Sequence, residues 1–327
     1  MQAKTDCVLE VNNLHVSFFT DRGKLRVVQN VAFNICAGET VALVGESGCG
    51  KSVTALAIMG LIEEPGIITG GQIRLKGQEL VGLPLAKYQQ IRGHRIGMIF
   101  QEPMTSLNPV FKIGTQIGEV LVHHSKMTER EARPEVLRLL KKVGISSPHR
   151  RIDQYPHELS GGMKQRVMIA IALACQPDIL IADEPTTALD VTIQAQILRL
   201  LKQLQDDMGM AILLITHNLG VVAHFANRVV VMYAGEIAEH TDVRTLFHKP
   251  QHPYTQALLK ALPIPGHERL VPIQGTVPMP LEYPSGCRFC TRCPAVMKCC
   301  PQKSPSLQKI EPCHYVACWL YQMKNAP

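Results

Sequence analysis

The chain has 327 residues, 46% apolar and 19% charged, which suits an ordinary globular protein with one large core plus an appendage, or two domains. The formal charge of +7 is scattered, clustering only at His149-Arg150-Arg151 and Lys141-Lys142, and aromatics make up 5%; the basic, aromatic-interleaved stripe of a nucleic-acid binder is absent. The start lacks the basic-then-apolar layout of a secretory signal, and no apolar run approaches the ~20 residues that span a bilayer, so a cytosolic chain is expected.

In chain order, residues 8–37 alternate apolar and polar positions around a turn near Asp21-Arg22-Gly23, which predicts antiparallel strands over Val8–Thr20 and Lys24–Ile35. The apolar run Val41–Val44 predicts a buried strand, and Val53–Ile62 a helix. Between them stands Gly45-Glu46-Ser47-Gly48-Cys49-Gly50-Lys51-Ser52, the spacing G-x-x-x-x-G-K-S. Its glycines let successive N–H groups turn into one concavity that holds phosphate. Lys51 can reach the β- and γ-phosphates and the Ser52 hydroxyl can ligate Mg²⁺. The strand before and the helix after argue against a chance glycine turn.

Residues 70–84 predict another strand pair, and the stretch from Gln101 to Ser160 turns helical. Within it, Glu131–Val143 is amphipathic, with Val136, Leu137, Leu139 and Leu140 near one face. Strands Ile179–Ala182 and Ala211–Ile215 flank the helical Val191–Met208, an alternation that predicts a parallel α/β core. After about residue 246 proline becomes frequent, which predicts an extended tail.

The strand at 179 ends in two acids. Asp183 is placed to hold Mg²⁺, while Glu184, one residue on, can accept a proton from attacking water. His217, after the next buried strand, can donate to charge developing on a γ-phosphate, and the Gln101 amide can meet Mg²⁺ and the water. Leu159-Ser160-Gly161-Gly162-Met163-Lys164-Gln165-Arg166 supplies a second anion-binding helix start. One phosphate loop and two cradles are reconciled if each ATP is sandwiched between two subunits.

L-S-G-G-M-K-Q-R resembles the signature of ABC transporter ATPases, and the family's other motifs follow in order. By this resemblance Gly45–Ser52 is the Walker A loop, Gln101 the Q-loop, Asp183-Glu184 the Walker B end and catalytic glutamate, Ala188-Leu189-Asp190 the D-loop and His217 the switch histidine. Phe18 is similar to the aromatic that stacks on adenine, where the family more often has Tyr; Phe19 is its neighbour. The implied catalytic set is Glu184, His217, Lys51 and Gln101, with Mg²⁺ on Ser52, Gln101 and Asp183. ATP is met in cis by Phe18, Gly45, Glu46, Ser47, Gly48, Cys49, Gly50, Lys51, Ser52, Gln101, Asp183, Glu184 and His217. It is met in trans by Ser160, Gly161, Gly162, Gln165 and Asp190.

Gln101-Glu102-Pro103-Met104-Thr105-Ser106-Leu107-Asn108-Pro109 and His252-Pro253-Tyr254-Thr255 are similar to the dipeptide and oligopeptide importer ATPases, over nearly the whole chain. The resemblance implies an α/β nucleotide-binding domain over 8–246, with a RecA-like P-loop core, an antiparallel β-subdomain and a helical insert at about 102–160. Residues 247–327 are then a small Cys-rich extension. It also implies a second, homologous ATPase subunit, two permeases and an extracytoplasmic binding protein, with this chain peripheral on the cytoplasmic face of the inner membrane. Nickel, metal chelates or another small solute are the alternative cargo. A soluble ABC ATPase acting on nucleic acid is the alternative class.

Seven of the 11 cysteines (Cys287, Cys290, Cys293, Cys299, Cys300, Cys313 and Cys318) fall in the last 41 residues, which in a cytosolic chain points to metal. Soft thiolates in fours suit an Fe–S cluster or zinc. The importer resemblance implies a [4Fe–4S] cluster on Cys287, Cys293, Cys300 and Cys318, with Cys300 taken over Cys299 by its spacing to Cys293 and Pro305. The run Cys287-x2-Cys290-x2-Cys293 offers a competing set.

Overall fold

The computed structural model describes residues 7–102, 106–187, 189–262 and 272–322. In chain order, β1 (Cys7–Thr20) and β2 (Gly23–Cys36) precede β3 (Thr40–Val44) and α1 (Lys51–Met59). Next come β4 (Gly66–Leu75), β5 (Gln78–Glu79), α2 (Leu85–Ile91) and β6 (Ile96–Ile99). Helices α3 (Ile113–Ser125), α4 (Glu129–Lys142), α5 (Pro148–Arg151) and α6 (Gly161–Ala172) lead to β7 (Ile179–Asp183), α7 (Val191–Met208) and β8 (Ala211–Thr216). The chain closes through α8 (Leu219–Phe225), β9 (Arg228–Tyr233), β10 (Glu236–Asp242), α9 (Val243–His248), α10 (Pro253–Lys260), β11 (Gln308–Glu311), β12 (His314–Val316) and α11 (Trp319–Gln322). No helix among the described residues is long and apolar enough to cross a membrane.

These elements form two compact units, each built from separated stretches of chain. One comprises residues 9–34, 40–81 and those after 214. It holds an antiparallel sheet, β2-β1-β4-β5, and a second sheet in which β11-β12-β10-β9-β3 are neighbours. β3 runs parallel to β9, with Val44 opposite Val231, and is buried throughout, which is why it reads as an unbroken apolar run. Its core joins Val44 and Val231 to Tyr233, Tyr254 and Phe289, so the Cys-rich segment packs into the same core as the strand that carries the phosphate loop. The tail departs from expectation, since two helices and two strands occupy it and β12 pairs with β10. Proline density misleads there because Pro253 sits at the first position of α10, where no N–H donor is needed, and His252 caps that helix. Pro263 and Pro265 lie outside the described residues.

The other unit comprises residues 35–39 and 82–214, with the first strand residues. β8, β7 and β6 are neighbours in that order, and β6 pairs in parallel with β7, Ile99 opposite Ala182. The helix expected from 131 starts at Glu129, because Thr128 and Glu131 close a capping box. It buries Ala132, Val136, Leu139 and Leu140, the period-3.6 stripe that the sequence shows, apart from Leu137.

Candidate functional site

The loop from Gly45 to Gly50 leaves β3 and enters α1 at Lys51, two residues before the expected start. Gly50 caps α1 in the left-handed region, φ +101°, which glycine adopts without strain. A Cβ on Gly45 would overlap the Met232 carbonyl oxygen, so only glycine lets the loop pass β9 this closely. The Lys51 ammonium donates to the Gly45 and Glu46 carbonyls at 2.9 and 3.0 Å, and the Cys49 carbonyl accepts from Gly235 N–H at 2.9 Å. Burial pushes the Cys49 thiol up, with Lys51 opposing the shift. These contacts fix the loop as a concave rim with a cation at its base, the arrangement that receives a polyphosphate.

The acidic end of β7 is built in the other unit. Asp183 is buried at the strand terminus and Glu184 follows it with φ +46°, a left-handed backbone rare for a side-chain-bearing residue. The Glu184 carboxylate accepts from the Thr187 hydroxyl at 2.8 Å and from the Gln101 amide at 3.3 Å. Gln101 and Glu184 are thus brought together as expected, and Thr187 is a partner the sequence had not singled out. Carboxylate, hydroxyl and amide together can bind, orient and deprotonate a water molecule.

Ser160 caps α6, its Oγ accepting from Met163 N–H at 3.4 Å, and Gly161 and Gly162 form the first turn. A Cβ on Gly162 would come 3.1 Å from Ile193, so the α6 start lies against the α7 start. Gln165, expected to meet ATP in trans, is instead 1% exposed with its amide donating to the Pro185 carbonyl at 2.6 Å, so its side chain braces the segment after β7. Asp190 caps α7 through Ile193 N–H at 2.9 Å, and Gln194 holds the Thr186 and Leu189 carbonyls. Ala188 of the expected D-loop and Pro103-Met104-Thr105 of the Gln101 motif lie outside the described residues.

His217 is exposed directly after β8, and the next residue, Asn218, caps α8. Phe18 is half-buried opposite Gly66 in the β1–β4 ladder, while Phe19 is 48% exposed with Lys24 over its ring at 5.4 Å. In the helical unit, Phe111, Gly114, Gly118, Val122, Arg133 and Val136 line an open groove of about 710 Å³.

The cysteines divide by environment. Burial pushes the Cys287 thiol up to about 12, with Cys300, Cys318 and Cys290 adding like-charge repulsion. Burial also raises Cys318 to about 11, with Cys293 and Cys300 adding to the shift. Cys290 and Cys293 rise from burial first and from Cys300 second or later. Cys300 is therefore common to four thiol neighbourhoods, and it also holds Met297 N–H at 3.4 Å on its sulfur. Cys313 is exposed. Among the described residues, no three His, Cys, Asp or Glu side chains stand in the geometry of a metal site.

Two residues at the phosphate loop escaped the sequence reading. Arg292 lays its guanidinium on the Glu46 carboxylate with contacts of 2.6 and 3.1 Å, and the Tyr254 hydroxyl accepts from Glu46 N–H at 3.0 Å. Their only sequence signal is their chemistry, a fork donor between two cysteines and a tyrosine in His252-Pro253-Tyr254-Thr255.

Residues 28–187 match the family described as ABC transporter, and residues 238–300 match the oligopeptide/dipeptide transporter C-terminal region. Among curated proteins, the chain is 52% identical to the oligopeptide transport ATP-binding protein AppD of Bacillus subtilis (strain 168), over 98% of each. It is 51% identical to the dipeptide transport ATP-binding protein DppD of the same organism, over 97% of this chain and 96% of that one. Among solved structures, it resembles the ATP-binding cassette MJ0796 in a dimeric post-hydrolysis state bound to ADP and Pi, with a TM-score of 0.65 and 30% identity. That match covers 72% of this chain and 99% of the cassette. It also resembles cbiO1 from Clostridium perfringens, with a TM-score of 0.63 and 28% identity over 75% of this chain and 92% of that one.

Proposed function

Because this chain belongs to the ABC transporter ATP-binding proteins of the oligopeptide and dipeptide class, we propose that it hydrolyses Mg-ATP to drive peptide import through a pair of permeases. The observation that carries the chemistry is Glu184, left-handed in its backbone and clamped by Thr187 and Gln101 at the end of β7. In this reading Lys51 neutralises the β- and γ-phosphates, while Ser52, Asp183 and Gln101 meet the Mg²⁺ that arrives with ATP. Glu184 takes the proton of the attacking water and His217 donates to the charge developing on the γ-phosphate. Phe18 offers its ring to adenine.

Ser160, Gly161, Gly162 and Asp190, braced by Gln165, face the ATP of a second, related ATPase subunit, so closure needs two chains. ATP binds the closed dimer more tightly than the open one, and that difference in affinity is what turns the permeases. The groove beside Phe111 receives a short permease helix, which places the chain peripherally on the cytoplasmic face of the inner membrane. An extracytoplasmic binding protein delivers the peptide. Residues 8–246 form the ATPase domain, with a helical insert at about 102–160, and 247–327 the extension. The test is Glu184→Gln, which retains ATP binding and loses turnover. Near-normal ATPase activity in that variant contradicts the assignment.

The same reading places a [4Fe–4S] cluster on Cys287, Cys293, Cys300 and Cys318. What supports it is the donor set, soft thiols crowded into one short segment of the chain. The cluster would act as a staple on the segment, adding Fe–S bonds beside the core that Phe289 joins. Stoichiometric iron and acid-labile sulfide in anaerobically purified protein are expected. Stoichiometric zinc without iron overturns the cluster.

A further inference from the structure

The carboxyl-terminal extension reaches the phosphate loop itself. Arg292 lies between Cys290 and Cys293, and its side chain is 3% exposed. Nη1 and Nη2 meet Glu46 Oε2 and Oε1 at 2.6 and 3.1 Å, the fork-on-fork geometry of the strongest ion pairs. The remaining donors are also placed: Nε on the Gln274 carbonyl at 2.9 Å, Nη1 on the Tyr233 hydroxyl at 3.3 Å and Nη2 on the Ile273 carbonyl at 3.5 Å. A guanidinium held at every edge cannot follow Glu46 if the loop drifts; it holds the loop still.

The second hold is Tyr254, a fully buried ring whose hydroxyl takes Glu46 N–H at 3.0 Å. Tyr254 packs against Tyr233 and Phe289, with ring centroids 4.7 and 5.4 Å away, and Tyr233 packs against Phe289 edge-on at 5.1 Å. Phe289 lies between Arg288 and Cys290, so this aromatic triad is the mechanical link from cysteine segment to loop. On the other side, Arg288 donates to the Ala234 carbonyl and to Gln29, and pairs with Glu236 at 3.2 Å. Gly286 permits the segment's own closure, since a Cβ there would overlap the Cys300 carbonyl oxygen.

We propose that Arg292 and Tyr254 are positioning residues of the nucleotide site, through which the Cys-rich extension holds Glu46 and presets the phosphate loop for ATP. Neither residue touches the nucleotide in this account; both act through the first variable position of the loop. The consequence is directional. A seated extension leaves the loop preorganised, so ATP meets a rim already in place; an unseated one makes ATP order the rim on binding.

The inference rests on the ATPase reading above, and the experiment separates the two. Binding of a fluorescent ATP analogue with Mg²⁺ is measured for the full chain and for Arg292→Gln, Arg292→Lys, Glu46→Gln and the double variant Arg292→Gln/Glu46→Gln. Steady-state KM, kcat and melting temperature are measured alongside. Arg292→Gln is expected to weaken binding and raise KM by roughly tenfold or more, with kcat changed far less, and Glu46→Gln to weaken binding at least as much. The double variant is expected to be no weaker than either single one, because both remove the same pair. Arg292→Lys keeps the charge but not the fork and should fall between. If the folded Arg292 and Glu46 variants bind as the wild type does, and only melting temperature moves, the residues merely stabilise the extension and the proposal fails. Failure of the wild type to bind Mg-ATP would overturn the ATPase reading instead.

Discussion

At the residue scale, Glu184 combines strain with restraint. Its φ of +46° costs on the order of 1–3 kcal/mol, and it persists because Thr187 and Gln101 hold the carboxylate on one side. An amide at this position keeps the shape and removes the base, so Glu184→Gln should lower turnover by roughly two to four orders of magnitude while ATP affinity holds. Single-turnover hydrolysis against nucleotide binding reads both. The residues proposed for this chemistry were legible because phosphate loop, acidic strand end and signature each pack candidate donors into a few consecutive positions. Arg292 and Tyr254 were not, because they reach Glu46 across sequence separations of 246 and 208 residues. No local spacing encodes such a contact; only the packed core of the unit creates it.

At the element scale, α10 depends on His252, whose Nδ1 accepts Tyr254 N–H at 3.0 Å while its backbone N–H donates to Glu239 at 2.9 Å. Burial holds the His252 imidazole down to about 4, with Glu239 opposing. An imidazole in the unfolded chain titrates near ~6.5, so between that value and about 4 the unfolded state binds the extra proton. Stability therefore falls as pH drops through this window, and His252 accounts for roughly 3 kcal/mol of the loss near the lower end. His15 and His124, also lowered chiefly by burial, act in the same direction, so the comparison is between proteins. Denaturant unfolding of wild type and His252→Gln from neutral to mildly acid pH should show a shallower slope in the variant. Equal slopes would contradict it. Glu239 enters lower: burial alone would raise it, but donors from His314, Thr255 and two backbone amides hold it below its usual range. Its stabilisation is present above the unfolded carboxylate value and fades as pH falls further. Helix and strand interiors were legible by period; the tail was not, because proline marks both breaks and first helical turns.

At the scale of the whole molecule, the nucleotide loop and the cysteine extension were each visible in the sequence, whereas their mechanical connection was not. Alternation and apolar runs recovered β1, β2, β3, β7 and β8, whereas β10, β11 and β12 carry no such signal. The pairing of β12 with β10, and the common core of Tyr233, Tyr254 and Phe289, arise only from the folded chain. That core packs the extension against the strand that carries the phosphate loop. In the proposed function, ATP handled by this chain moves peptide. The most direct test of that function is uptake of a labelled dipeptide or oligopeptide into vesicles that contain the chain with its permeases and binding protein. ATP-dependent accumulation, abolished by Glu184→Gln, is the predicted result. ATP hydrolysis that proceeds without any peptide accumulation, or that responds to nucleic acid instead, would contradict it.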